Sequence, residues 1–247
     1  MKTTKTIATI AALAATFVYS TATAATRIWA DTAGKTVEAE QVKLLNNQVL
    51  LRLVDGREIK VSLDTLSEGD RKQAMLAEPP TLELKVSAKT SRSNKSLGVH
   101  GRRSAVQLEE ESTQVVVAVS KSSSAPYELP LNAVLYVMGE WGGSQHKVID
   151  KVSSTLTYTE RGQVFELASD KFESVKRQGG ERRTEYKGWF VVVFDSNGNP
   201  VATKSSKKEY EKNIETLLAS DKGAALDGNY ESIEAKTSSG LKWNRGI

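Results

Sequence analysis

Runs in which apolar side chains fall at every second position recur along this 247-residue chain. That spacing belongs to half-buried strands and rules out amphipathic helices over the same stretches. Val49, Leu51 and Leu53 alternate with Leu50 and Arg52, and Ile59, Val61 and Leu63 alternate with Glu58, Lys60 and Ser62. Asp55-Gly56 separates the two runs and Asn46-Asn47 precedes the first. Both pairs tolerate the positive φ that tight hairpins require. Ser67 then offers an N-cap, Asp70 follows three residues on, and Arg71 to Leu76 contains no breaker, so a short helix closes the unit 26–76. Ala77-Glu78-Pro79-Pro80 follows as an extended linker, residues 77–80.

Beyond the linker the same pattern resumes. Leu82, Leu84, Val86 and Ala88 open a second sheet, and Thr90 to Ser104, polar and basic with Gly98 and Gly101, reads as a loop. Further strands are expected at Val106–Val119, Leu131–Val137, Lys147–Val152, Thr155–Thr159, Gln163–Ala168, Trp189–Phe194 and Val201–Thr203. Seven or more short strands with turns between them predict an immunoglobulin-like antiparallel β-sandwich over 81–219. One helix, 206–219, closes it: Ser206 and Glu209 form a capping box, and Tyr210, Ile214, Leu217 and Leu218 share a face. Residues 220–247 read as a partly ordered tail in which Tyr230, Ile233 and Trp243 make local contacts.

The first 24 residues have a different character. Lys2 and Lys5 form a positive start, Ile7 to Tyr19 is apolar, and Ala22-Thr23-Ala24 has the small-x-small pattern of a signal-peptidase site. The apolar run is shorter than the roughly 20 residues a spanning helix needs, and no Cys follows it. A cleaved leader over 1–24 and an exported mature chain, periplasmic or extracellular with no integral membrane span, are therefore expected. Cleavage removes two of the 34 basic residues and none of the 30 acidic ones, which leaves the mature chain near charge balance and without the footprint of a nucleic-acid binder. With no Cys anywhere, an exported fold must hold by core burial alone.

The framework of 26–76 resembles a known family. Arg27 to Asp31 (RIWAD), Thr32 to Lys35 (TAGK) and Val37 to Glu40 (VEAE) form its opening. Val49 to Arg52 (VLLR), Asp55 to Val61 (DGREIKV) and Leu63 to Asp70 (LDTLSEGD) complete it. Together they resemble the first homology domain of a yeast endocytic actin-patch adaptor, in the form common in exported planctomycete and verrucomicrobial proteins. The resemblance implies a small SH3-like barrel closed by a helix. In the eukaryotic adaptor the domain binds short Asn-Pro-Phe-containing sorting peptides; that ligand does not transfer, because an exported bacterial protein never meets the endocytic machinery. The run Gly188 to Asp195 (GWFVVVFD), followed by Gly198 to Ala202 (GNPVA), is similar to the last hairpin of sandwich domains in verrucomicrobial exported proteins.

Chemistry is sparse. There is no Cys nucleophile, no nucleophile elbow, zinc-protease helix or phosphate loop, and the only histidines, His100 and His146, fall in loop or edge segments. Two histidines without Cys make no standard structural zinc site, so no metal and no cofactor are expected. Glu109, Glu110 and Glu111 are the one dense acidic run. Alternation puts Glu109 and Glu111 on one face, and a charged edge that discourages strand pairing is the ordinary use of such a run. Asp195 to Asn199 (DSNGN) resembles a calcium loop, but its Gly comes at the fourth position and no distal Glu follows, so it reads as a hairpin turn. Basic runs at Arg92–Arg103, Lys176–Arg183 and Lys204–Lys208 carry almost no aromatics; Arg102, Arg103, Arg182 and Arg183 are the candidates to meet an anionic glycan or acidic partner. Trp141, set among Gly139, Gly142 and Gly143 in what reads as a flexible loop, is the candidate aromatic anchor, weighed against a ring folded back over the sandwich.

The expected molecule is mainly β: an SH3-like barrel, then a sandwich, acting as a non-catalytic envelope protein that binds or scaffolds proteins or glycans. Two alternatives stand beside it: a subunit of a surface appendage such as a pilus, which would oligomerise with concentration, and a glycan hydrolase working through carboxylates such as Glu109 and Glu111.

Overall fold

The structure is a computed structural model that describes residues 25–97, 106–141, 145–159, 162–177 and 184–233. Four strands open the chain: β1 (Arg27–Ala30), β2 (Thr36–Leu45), β3 (Gln48–Leu53) and β4 (Glu58–Ser62). They form one antiparallel sheet in the order β1-β2-β3-β4, with a shift of register in β2 between Gln41 and Lys43. A 3-10 turn at Leu63–Thr65 leads into α1 (Glu68–Ala77). The curled sheet buries Trp29, Ala39, Val49 and Leu51 against Leu63, Leu66, Ala74 and Met75. The expected turns are present, with φ of 49° at Asn46 and 85° at Gly56.

The capping residue of α1 behaves as its sequence indicated. Ser67 Oγ accepts the Asp70 N–H at 3.2 Å and donates to Asp70 Oδ2 at 2.8 Å. Asp70 is itself buried, and its carboxylate accepts the Ala30 N–H (2.8 Å) and pairs with the Arg27 guanidinium. One side chain thus fastens the helix start to β1. Pro79 and Pro80 then lead to the second sheet system.

That system has two antiparallel sheets. The first contains β5 (Leu82–Leu97), β6 (Val106–Lys121), β9 (Val164–Ala168) and β10 (Phe172–Arg177), with β6 central. The second runs β12-β11-β7-β8-β13, where β7 is Leu131–Trp141, β8 Gln145–Leu156, β11 Glu185–Phe194, β12 Pro200–Ser205 and β13 Ala225–Leu226. Between the sheets lie Val115, Val117, Val119, Leu131, Ala133, Leu135, Val137, Val191 and Val193. The opposite face of the second sheet is covered too: Tyr136, Met138, Phe190 and Val192 pack with Tyr210, Leu217, Leu226 and Tyr230. Covering on both faces explains why β7 and β11 read as continuous apolar runs rather than as alternating ones. The molecule is the mainly antiparallel β protein that its periodicity implied.

Four local expectations are corrected. Thr90–Leu97 is strand, not loop: β5 pairs with β6 through a full ladder from Leu82↔Lys121 to Leu97↔Val106. Polar cross-strand pairs hold its outer half, including Thr90–Thr113 (3.2 Å) and Arg92 Nε–Glu111 Oε2 (3.1 Å), and such a ribbon has a loop's composition. Glu109–Glu111 consequently lie on a central strand between β5 and β10, not on an edge. The helix expected at 206–219 is two short helices, α2 (Lys208–Lys212) and α3 (Ile214–Leu218). The Ser206 hydroxyl accepts the Trp189 N–H (2.8 Å) and so caps no helix, while Asn213 interrupts the turn. Finally, Thr155 and Leu156 continue β8 instead of starting a strand.

Candidate functional site

The described surface offers two concave regions that bear on function. The first lies on the amino-terminal sheet. Trp29 forms its base, held by its Nε1, which donates to Ala39 O at 3.0 Å, and by the Arg27 guanidinium 4.7 Å above its ring. Because alternate residues of β2, β3 and β4 point the same way on a curled sheet, Val37, Leu51, Ile59 and Val61 converge with Leu66 on that base. The result is a mostly apolar groove of about 300 Å³, with Asp31 and Lys35 at its rim. The rim is rigid: Asp31 Oδ1 accepts the N–H groups of Ala33 (2.9 Å) and Lys35 (2.8 Å), and Gly34 takes φ 81° between them. Such a groove can take a few apolar side chains of an extended peptide and fix its direction by charge. The sequence showed Leu51, Ile59 and Val61 as inward strand residues; that they open into a groove with Val37 depends on sheet curvature, which alternation alone does not encode.

The second region is the open end between the sandwich sheets. Arg92, Glu109 and Glu111 from the first sheet and Glu185, Tyr186 and Lys187 from the second line a polar cleft of about 370 Å³. Its charges are largely matched. Arg92 engages Glu111, and Lys187 lies 3.3 Å from Glu185 and 3.4 Å from Glu140. Burial opposes the charge on Lys187, but those two carboxylates win and raise its pKa. Trp141 sits at the same end of the second sheet, yet not in a loop: it is the last residue of β7, opposite Gln145, and is 50% exposed. Half of the Trp141 side chain is open to solvent and half is covered. Arg102, Arg103, Arg182 and Arg183 lie outside the described residues, as does His100.

His146 is a strand residue of β8, stacked on Tyr230 with centroids 4.2 Å apart and planes 4° from parallel. Among the described residues, no group of three or more His, Asp or Glu side chains is placed to hold a metal ion. The Asp195 carboxylate is occupied by its own turn, accepting the N–H groups of Asn197 and Asn199, each at 2.8 Å.

The four-stranded antiparallel sheet and its helix make the amino-terminal unit a small half-barrel. More narrowly, residues 19–75 match the family model of SLA1 homology domain 1, SHD1. A crystal structure from Akkermansia muciniphila aligns at 16% identity and a TM-score of 0.23, covering 52% of this chain and 74% of that one, too loose a superposition to carry any feature across. No curated protein matches the chain.

Proposed function

We propose that this chain is an exported, non-catalytic binding protein of the cell envelope whose amino-terminal groove captures an extended segment of a protein partner. The apolar groove over Trp29 carries this reading: it combines a preformed floor, a charged rim and a rigid frame within the segment that matches SHD1. Trp141 and the polar cleft supply a second contact surface on the sandwich, suited to a further protein or a glycan. Export rests on the leader-like residues 1–24. Among the described residues no helix is long and apolar enough to cross a membrane.

The decisive experiment selects ligands from a random peptide library on the full chain and measures their affinity for it and for Ile59→Asp. A charge in the groove should weaken binding at least tenfold while the Tm of the chain stays within a few degrees. Binding that is indifferent to Ile59→Asp and to Val37→Asp would place the partner site elsewhere.

A further inference from the structure

The segment after α3 is fastened along β8, the last long strand of its sheet, at three points. At one end Lys222 Nζ lies 2.8 Å from Asp150 and 3.0 Å from Asp170. In the middle, Gly223 N–H donates to Val148 O (2.8 Å), Val148 N–H donates to Ala224 O (3.0 Å), and Ala225–Leu226 form the two-residue strand β13. At the other end the chain turns at Asp227–Glu231, and the Tyr230 ring closes over His146.

That turn is unusual among its own kind. In Asp31–Lys35, Asp195–Asn199 and Asp227–Glu231 the Asp N–H donates to the carbonyl four residues on, and its carboxylate accepts the N–H groups two and four residues on. The fourth position has positive φ in all three: Gly34 at 81°, Gly198 at 83° and Tyr230 at 66°. A tyrosine takes that backbone conformation only at a cost. Its ring offsets the cost by stacking on His146 and meeting Tyr210 edge-on, centroids 5.9 Å apart.

The stack depends on the charge of His146. Its Nδ1 is buried and has no hydrogen-bond partner. A neutral imidazole leaves only a lone pair unmatched there, whereas the cation would bury an N–H with no acceptor. Burial lowers the pKa of His146 and Lys207, ahead of α2, acts in the same direction; Glu140 on β7 and Asp227 in the turn itself oppose them, and the lowering prevails. Glu209 on α2 acts on Tyr230 and not on His146.

We propose that His146 and Tyr230 form a pH-sensitive latch, in which protonation of His146 loosens the stack and releases residues 223–233 from the edge of β8. The sign follows from the opened state, where His146 regains its ordinary affinity for protons. The latch is closed above the ordinary histidine range and opens as pH falls through it. Asp150 is held below the usual carboxylate range despite its burial, by Lys222 and by the N–H groups of Asp170 and Lys151, so the Lys222 end stays fastened and release begins at Gly223.

Hydrogen exchange of the full chain at pH 7.5 and 5.0, corrected for the intrinsic rate at each pH, tests this. Amides of residues 223–231 should open on the order of tenfold more often at the lower pH while β11 is unchanged. His146→Phe keeps a flat ring but cannot titrate, and should abolish the difference; His146→Gln serves the same purpose if that variant does not fold. His100→Gln should retain the full response. Equal protection of the native chain at both pH values, an undiminished response in the His146 variants, or its loss in His100→Gln would overturn the latch.

Discussion

At the scale of single residues, the left-handed positions show how much the local sequence dictates. Gly198 has φ 83° and no neighbour within 4 Å of where a Cβ would sit, so Gly198→Ala tests backbone conformation alone and should cost about 1 kcal/mol in urea unfolding. Gly188 differs in kind, because a Cβ there would run into Ser206 Oγ and Tyr210; Gly188→Ala should cost clearly more than Gly198→Ala in the same assay. Tyr230→Gly relieves the strained backbone but removes a buried ring, and loss of the ring dominates: net destabilisation of about 2 kcal/mol is expected. Asn46-Asn47, Asp55-Gly56 and Asn197-Gly198 were legible as turns because their residue types accept positive φ. The Asp227–Glu231 turn was not, since a Tyr at the left-handed position gives no local signal and is explained only by His146, distant in sequence.

At the scale of elements, legibility followed the number of faces buried. Helix α1 was readable because its cap is local: Ser67→Ala should cost about 1 kcal/mol, and Asp70→Ala more, since it also strands Arg27 and the Ala30 N–H. The outer half of β5 was misread because its pairing partners lie on β6 and its side chains are polar. The helix after Ser206 was misread because its capping hydroxyl is used by Trp189, a tertiary contact. The Asp150–Lys222 tie shows the same distance effect and has a defined pH window. Lys222 is raised to about 12 by Asp150 and Asp170, so its contribution is complete below the ordinary lysine range and lost as pH rises towards that value. Asp150, held low, contributes above the ordinary carboxylate range and loses that contribution as pH falls through its native value. Lys222→Met should therefore lower Tm at pH 7 and narrow its loss at pH 3, as read by calorimetry.

At the scale of the whole molecule, the mainly β architecture was readable from periodicity alone, and the framework of the first barrel from a run of matching positions that the SHD1 match supports. The groove was not, because it arises from strands curling together, and Trp141 was placed in a loop because its glycines obscured the end of β7. The division into two folding units remains a proposal with a direct test. The first unit has its own apolar centre around Trp29, Leu51 and Met75, although one continuous apolar cluster extends from it to Leu84 and Ser124 Oγ meets Asn46 Oδ1 at 3.1 Å. The fragment 25–78 should give a dispersed proton NMR spectrum with strand-like shifts; a collapsed spectrum would show that it needs the sandwich. Trp141→Ala, in turn, should weaken any partner seated on the sandwich by more than about 1 kcal/mol with nearly unchanged Tm. The central claim is that the groove over Trp29 is the peptide-capturing surface. Chemical-shift mapping of a library-selected peptide on the isotope-labelled full chain addresses it most directly. The expected result is a saturable set of shifts centred on Val37, Ile59, Val61 and the Trp29 indole N–H, lost in Ile59→Asp. Saturable shifts confined to the sandwich, with the Trp29 resonance unmoved, would contradict it.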